Sequence, residues 1–214
     1  MKRPLNFLLV GVGGQGTILA SNILVQVGLA AGYQVKQAEV HGMSQRGGSV
    51  TSHVRWGERV YSPLVGAGEV DVLLAFEKLE ALRYVGQLRY DALALINLEA
   101  IIPITVSSLG LHYPGDDMLR SAFARVTAHA FYVDGLSIAR SFGEPKVANA
   151  VLIGALSHLL TDLALTGSEL TRAIWLEALA GRVPPRSVEL NRQAFLAGYE
   201  AGRSDVPAPS VRAR

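Results

Sequence analysis

Residues 6–24 read NFLLVGVGGQGTILASNIL. The run Asn6–Val10 is apolar and stops at glycine, as a buried parallel strand does. Beyond the glycines, Ile18, Leu19, Ile23, Val27 and Ala30 recur at helical spacing until Gly32. Strand, glycine loop and helix in that order are the opening of a Rossmann-like unit. In Gly11-x-Gly13-x-x-Gly16, Gly11 suits a tight turn, Gly13 a close backbone approach to an anion, and Gly16 close helix–strand packing. Gly14 and Gln15 complete the loop, and the free N–H groups of a helix N-terminus favour negative charge. A dinucleotide would also need an acid for its ribose. Glu39, late in the expected second strand QVKQAEV, is the candidate. Three readings of the loop stay open: packing, a bound nicotinamide or flavin, or contact with another partner.

Further along, residues 38–57 read AEVHGMSQRGGSVTSHVRWG. His41, Gly42, Met43, Gln45, Arg46, Gly47 and Gly48 are too specialised for a plain surface turn. Arg46 suits a two-point contact with a carboxylate or phosphate. His41 and Gln45 can hydrogen-bond, and Gly47-Gly48 permits a tight fold and the approach of another surface.

SVTSHVRWG alternates like a strand, and ERVYSP suits its hairpin partner. VDVLLAF reads as a buried strand, followed by a helix near Glu77–Gln87 and a strand at YDALALIN. Asp116–Arg125 reads as helix and TAHAFYVD as strand. From Gly135 the pattern turns helical: a short helix at 135–141, a long apolar one within 147–165, then two near 168–180 and 187–201, separated by Pro184-Pro185. The expected fold class is α/β: a Rossmann-like, mostly parallel sheet with flanking helices and a helical C-terminal portion. Residues 1–202 are expected to form one domain, its sheet part at about 1–134 and its helical part at about 135–202, with 203–214 a flexible tail.

Composition narrows the function. Hydrophobic residues make up 50% of the chain and charged ones 18%, which predicts a sizeable core. The net charge is +2 with arginines scattered, so no nucleic-acid surface is expected. Cysteine is absent, which excludes disulfides, a cysteine nucleophile and Cys-ligated iron–sulfur clusters in this chain. No G-x-x-x-x-G-K-[ST] occurs, PGDD at 114–117 lacks a thiamine-binding continuation, and no histidine pair has zinc spacing. The 147–165 segment is about long enough to span a bilayer, but Asn149, Ser157, His158 and Asp162 favour a buried helix. A cytoplasmic location is the expectation.

GVGGQGTILASNIL together with EVHGMSQRGGSV resembles the γ-type domain of the 2-oxoacid:ferredoxin oxidoreductases, over roughly residues 5–200. The His form of the second motif is similar to the stand-alone small subunit of the indolepyruvate branch. That resemblance implies CoA-acylating oxidative decarboxylation of indolepyruvate and other arylpyruvates. It implies that thiamine diphosphate, Mg and [4Fe-4S] clusters are held by a large α subunit, with electrons passing to ferredoxin and no cofactor retained by this chain alone. It places residues 41–48 at the subunit interface near the partner's active site. There Arg46 either binds the 2-oxoacid carboxylate or a CoA phosphate, or makes a salt bridge across the interface or to Glu39. Asn149, an amide inside an apolar helix, needs a partner and is expected to hold the glycine loop or the 41–48 loop. The rivals are the γ subunit of a pyruvate, branched-chain 2-oxoacid or 2-oxoglutarate enzyme, a free-standing dinucleotide-binding dehydrogenase, and a non-catalytic assembly module.

Overall fold

The computed structural model describes residues 4–41, 47–103, 106, 108–167 and 169–204. Six strands form one sheet: β1 (Leu5–Val12), β2 (Gln34–His41), β3 (Ser49–Gly57), β4 (Val70–Ala75), β5 (Leu88–Asn97) and β6 (Ala130–Val133), in the order β2-β3-β1-β4-β5-β6. β1, β4, β5 and β6 run parallel, whereas β3 is antiparallel to both neighbours, β1 and β2. Among the described residues there are seven α-helices: α1 (Thr17–Ala30), α2 (Lys78–Tyr84), α3 (Asp116–Ala124), α4 (Gly135–Ser141), α5 (Ala148–Asp162), α6 (Arg172–Ala180) and α7 (Val188–Ser204).

The side-chain alternation of β1 sorts the core into two layers. Leu5, Phe7 and Leu9 face a cluster built with Ile23, Leu24 and Val27 of α1, Val151 to Ala155 of α5, Trp175 of α6 and Phe195 of α7. Leu8 and Val10 face the opposite cluster, with Ala81 of α2 and Leu119 and Phe123 of α3. Both faces of the central strands are therefore covered, which is why they read as unbroken apolar runs. Trp56 of β3 stacks on Tyr33 (ring centroids 5.5 Å apart) and packs at a tilt against Phe7 (4.5 Å). α1 reaches that Trp through Gly28, where a Cβ would stand 2.5 Å from Trp56 Nε1.

The helical portion binds to the sheet through α5 and α7. A Cβ at Gly154 would lie 2.0 Å from Phe195 O, and one at Gly198 would lie 1.9 Å from Val151 O. These two helices touch backbone to backbone. Helix α5 has 15 residues, and Ala150 to Ser157 are all buried. No helix among the described residues is long and apolar enough to cross a membrane.

β3 lies between β1 and β2 and is antiparallel to both, with His41 opposite Val50. Three expectations are corrected. ERVYSP forms no strand; after β3 the chain turns away, and Arg55 Nη1 donates to Leu64 O at 3.1 Å. The tight turn does not sit at Gly11, which is still within β1, but at Gly14 (φ 108°) and Gly16 (φ 83°). The final helix runs to Ser204, so the tail expected from 203 starts inside α7; residues 205–214 lie outside the described residues.

Candidate functional site

The chain leaves β1 toward β2 on one side, and leaves β4 toward β5 on the other. This creates a switch point at the C-terminal ends of β1 and β4, where open α/β sheets bind ligands. The antiparallel β3 starts at that same end, with Ser49 opposite Val12. The glycine loop and the stem of the 41–48 segment are therefore brought together, and Gly13 N–H donates to Gly48 O at 2.9 Å. Gly47 is exposed, at φ 74°, and among the described residues no atom beyond its chain neighbours lies within 4 Å of where a Cβ would stand. Gly42, Met43, Gln45 and Arg46 lie outside the described residues, and for His41 only its place at the end of β2 is described.

Gln15 is the centre of the loop's bonding. Its Oε1 accepts the Val12 N–H at 2.8 Å, and its Nε2 donates to Phe76 O at 3.0 Å and Glu99 Oε2 at 2.9 Å. From the far side, Asn97 Nδ2 donates to the same Phe76 O at 3.0 Å, and Asn97 Oδ1 accepts the Gly135 N–H at 3.0 Å. One side chain of the glycine loop thus ties β1 to the ends of β4 and β5 across the crevice. The backbone N–H of Gln15 itself donates to Val12 O at 3.1 Å. The N–H groups of Val12, Gly13 and Gln15 all have acceptors within the protein.

Gly11 has a packing role: a Cβ there would meet Phe76 Cβ at 3.0 Å and Thr17 Cγ2 at 2.9 Å. Asn149 reaches Gly16, where a Cβ would lie 2.6 Å from its Nδ2. Its Oδ1 is buried with no hydrogen-bond partner among the described residues. Glu39 sits opposite Ser52 on β3 and accepts from Gln37 Nε2 at 3.1 Å.

Two buried acids stand beside the loop. Glu77 caps α2 by accepting the Glu80 N–H at 2.9 Å, and its Oε1 takes the Ile101 N–H at 3.0 Å and the Tyr113 hydroxyl. Burial and that hydrogen bond push the Tyr113 hydroxyl pKa well above its ordinary value. Glu80 accepts from Ser49 Oγ at 2.6 Å and lies 3.6 Å from Arg83. Burial raises its carboxyl pKa, against the opposing pull of the Ser49 hydrogen bond and Arg83. Glu77, Glu80, Asn97 and Glu99 were not singled out by the sequence reading. The available signal was a pair of acids three apart opening a helix, and a lone Asn ending the apolar strand ALALIN. No group of three or more His, Cys, Asp or Glu among the described residues could hold a metal ion.

Residues 6–201 match the family described as pyruvate ferredoxin/flavodoxin oxidoreductase. The chain is 39% identical over 199 residues to the indolepyruvate oxidoreductase subunit IorB of Thermococcus kodakarensis, covering 92% of this chain and 96% of that protein. It is 28% identical over 203 residues to the 2-oxoglutarate synthase subunit KorC of Methanothermobacter thermautotrophicus, covering 90% of this chain and 92% of that protein. Among solved structures, the keto/oxoacid ferredoxin oxidoreductase γ subunit of Geobacter sulfurreducens superposes with a TM-score of 0.67 at 25% identity, covering 94% of this chain and 99% of that one. This chain belongs to the pyruvate ferredoxin/flavodoxin oxidoreductase family.

Proposed function

We propose that this chain is the small subunit of an indolepyruvate oxidoreductase, working in the cytoplasm with a large α subunit. The complex oxidatively decarboxylates indolepyruvate and other arylpyruvates. A 2-oxoacid carboxylate and the CoA thiol give an acyl thioester, carbon dioxide, a proton and two electrons, and ferredoxin takes the electrons. The observation that carries the substrate choice is the gap in identity, 39% to a subunit named for indolepyruvate against 28% to one named for 2-oxoglutarate.

In this reading thiamine diphosphate, Mg and [4Fe-4S] clusters reside in the large subunit and supply the decarboxylation chemistry and the electron path. The small chain has no cysteine to ligate a cluster. Its contribution is recognition. Arg46 takes the 2-oxoacid carboxylate or a CoA phosphate in a two-point contact, with His41 and Gln45 as hydrogen-bonding neighbours. Gly47 and Gly48 let the partner surface approach, and Gly42 and Met43 belong to the same interface segment. The free-standing dehydrogenase has no comparable support, since the relatives matched over most of the chain are named as oxidoreductase subunits.

The test is co-expression with the large subunit and an assay of ferredoxin or viologen reduction with indolepyruvate and CoA. Activity is expected only from the two subunits together, and nicotinamide bound by this chain alone would overturn the reading. Arg46→Ala should raise the KM of the 2-oxoacid or of CoA by about tenfold or more, the loss of a hydrogen-bonded charge contact. Arg46→Lys should rescue little, because a point charge does not replace the fork.

A further inference from the structure

We propose that Ile102, Leu109 and Leu111 form the surface on which the large subunit docks, and that the facing surface of that subunit is apolar. This inference rests on the reading given above that the chain works as a small subunit. Between Glu99 and Asp116 the sequence AIIPITVSSLGLHYPG holds no Asp, Glu, Lys or Arg. Ile102 is 57% exposed, Leu109 70% and Leu111 58%. The most exposed aromatics stand among charges instead. Tyr61 has the Arg59 guanidinium over its ring at 6.0 Å, and Tyr90 lies between Arg89 and Asp91. Single apolar side chains on a surface are ordinary, but an uncharged cluster of them has the composition of an interface core.

The backbone gathers these side chains. Glu77 Oε1 accepts both the Ile101 N–H at 3.0 Å and the Tyr113 hydroxyl, so the chain on either side of the patch is tied to one buried atom. Inside that tie the Val106 N–H donates to Pro103 O at 3.0 Å, and the Leu111 N–H donates to Val106 O at 3.0 Å. Ile102 adjoins the first of these bonds and Leu111 makes the second. The patch is therefore held before anything binds, which lowers the ordering cost of association. Its position selects the occupant. Glu99, just before the stretch, takes Gln15 Nε2 at 2.9 Å, and its carbonyl accepts the Lys78 N–H at 3.1 Å. The patch thus borders the switch point, where open α/β sheets bind ligands. This chain has no cysteine to ligate a cluster, and a second copy seated here would bring none either. The subunit that holds the cofactors has to face this end of the sheet, and apolar surface meets apolar surface without stripping water from a charge.

The experiment titrates the full-length chain against the large subunit with its cofactors and reads Kd. The variants are Leu109→Asp, Leu111→Asp and the two combined, with Tyr61→Glu and Tyr90→Glu as controls. Each aspartate should weaken Kd by about tenfold or more, from apolar burial lost and a charge left against apolar surface. The controls should bind within about twofold of the wild type, as surface substitutions away from an interface do. The melting temperatures of the isolated aspartate variants should stay at the wild-type value, because both leucines are exposed. If an aspartate variant does not fold, Leu109→Ser and Leu111→Ser carry the same test. Wild-type affinity in the folded double variant overturns the docking surface and leaves the subunit reading standing. Equal losses in the controls overturn it as well. If the chain alone forms a dimer that the double variant abolishes, while affinity for the large subunit is unchanged, the patch belongs to a second copy and the proposal fails. If the wild-type chain does not bind the large subunit at all, the subunit reading falls and the docking surface falls with it.

Discussion

Gly16 answers two demands at once. Its backbone sits at φ 83°, where a side chain costs about 1–2 kcal/mol, and a Cβ would press on Asn149 Nδ2 at 2.6 Å. Gly16→Ala should therefore lose more stability than that strain alone, read as a lower urea midpoint with an unchanged slope. Removing Asn149 as well should recover the excess. Gln15→Ala leaves the Val12 N–H without its acceptor and Glu99 without one of its donors, at a cost of about 1–3 kcal/mol. His53 supplies a pH dependence. Burial pushes its imidazole pKa below the ordinary value, and its neutral Nδ1 accepts the Val65 N–H at 3.2 Å. The unfolded chain takes up the proton first, so this contribution is complete above about pH 6.5 and is lost as pH falls toward the depressed folded value. His158 is shifted the same way. The fall in urea midpoint between pH 7.5 and 5.5 should be smaller in His53→Leu than in the wild type; an equal fall refutes the assignment.

At the scale of elements, α5 and α7 depend on glycine where their backbones meet. With Phe195 O and Val151 O at about 2 Å from the missing methyl groups, no rotamer change can make room. Gly154→Ala and Gly198→Ala must push the helices apart, and overpacking of this kind costs about 1–3 kcal/mol, occasionally more. Both variants should melt lower than Gly202→Ala, whose nearest backbone atom is at 3.0 Å. The other element that departs from expectation is β3. Its alternation was legible, with Val50, Val54 and Trp56 buried on one face. Its neighbour was not, because alternation fixes which residues face the core and not which strand lies alongside. Pairing with β1 carries Ser49 and Gly48 to the glycine loop, so the same misjudged neighbour hid Glu80 as a contact of the 41–48 stem.

For the whole molecule, the glycine-loop end of the sheet carries Gly47–Ser49, the buried Glu77 and Glu80, and the exposed Ile102, Leu109 and Leu111 of the segment that Glu77 anchors. The opposite pole holds a polar cavity of about 320 Å³ lined by Asp71, Arg89, Tyr90, Asp91 and His129 among others. Binding of the large subunit should slow amide hydrogen exchange at 47–49 and 101–113 and leave residues 89–91 unchanged. Protection at the cavity pole alone would contradict the proposed orientation. The strand–glycine–helix opening, the buried runs, the helical C-terminal portion and the family motifs were all written locally, in spacings of a few residues, so the sequence by itself determined the fold class and the family. Which strands lie side by side, that Gln15 and Asn97 share the Phe76 carbonyl, and that Glu80 reaches Ser49 were decided by tertiary structure alone. Those contacts join residues from 21 to 61 positions apart, and no local period carries information across such separations; only the closure of the sheet brings them within hydrogen-bonding distance.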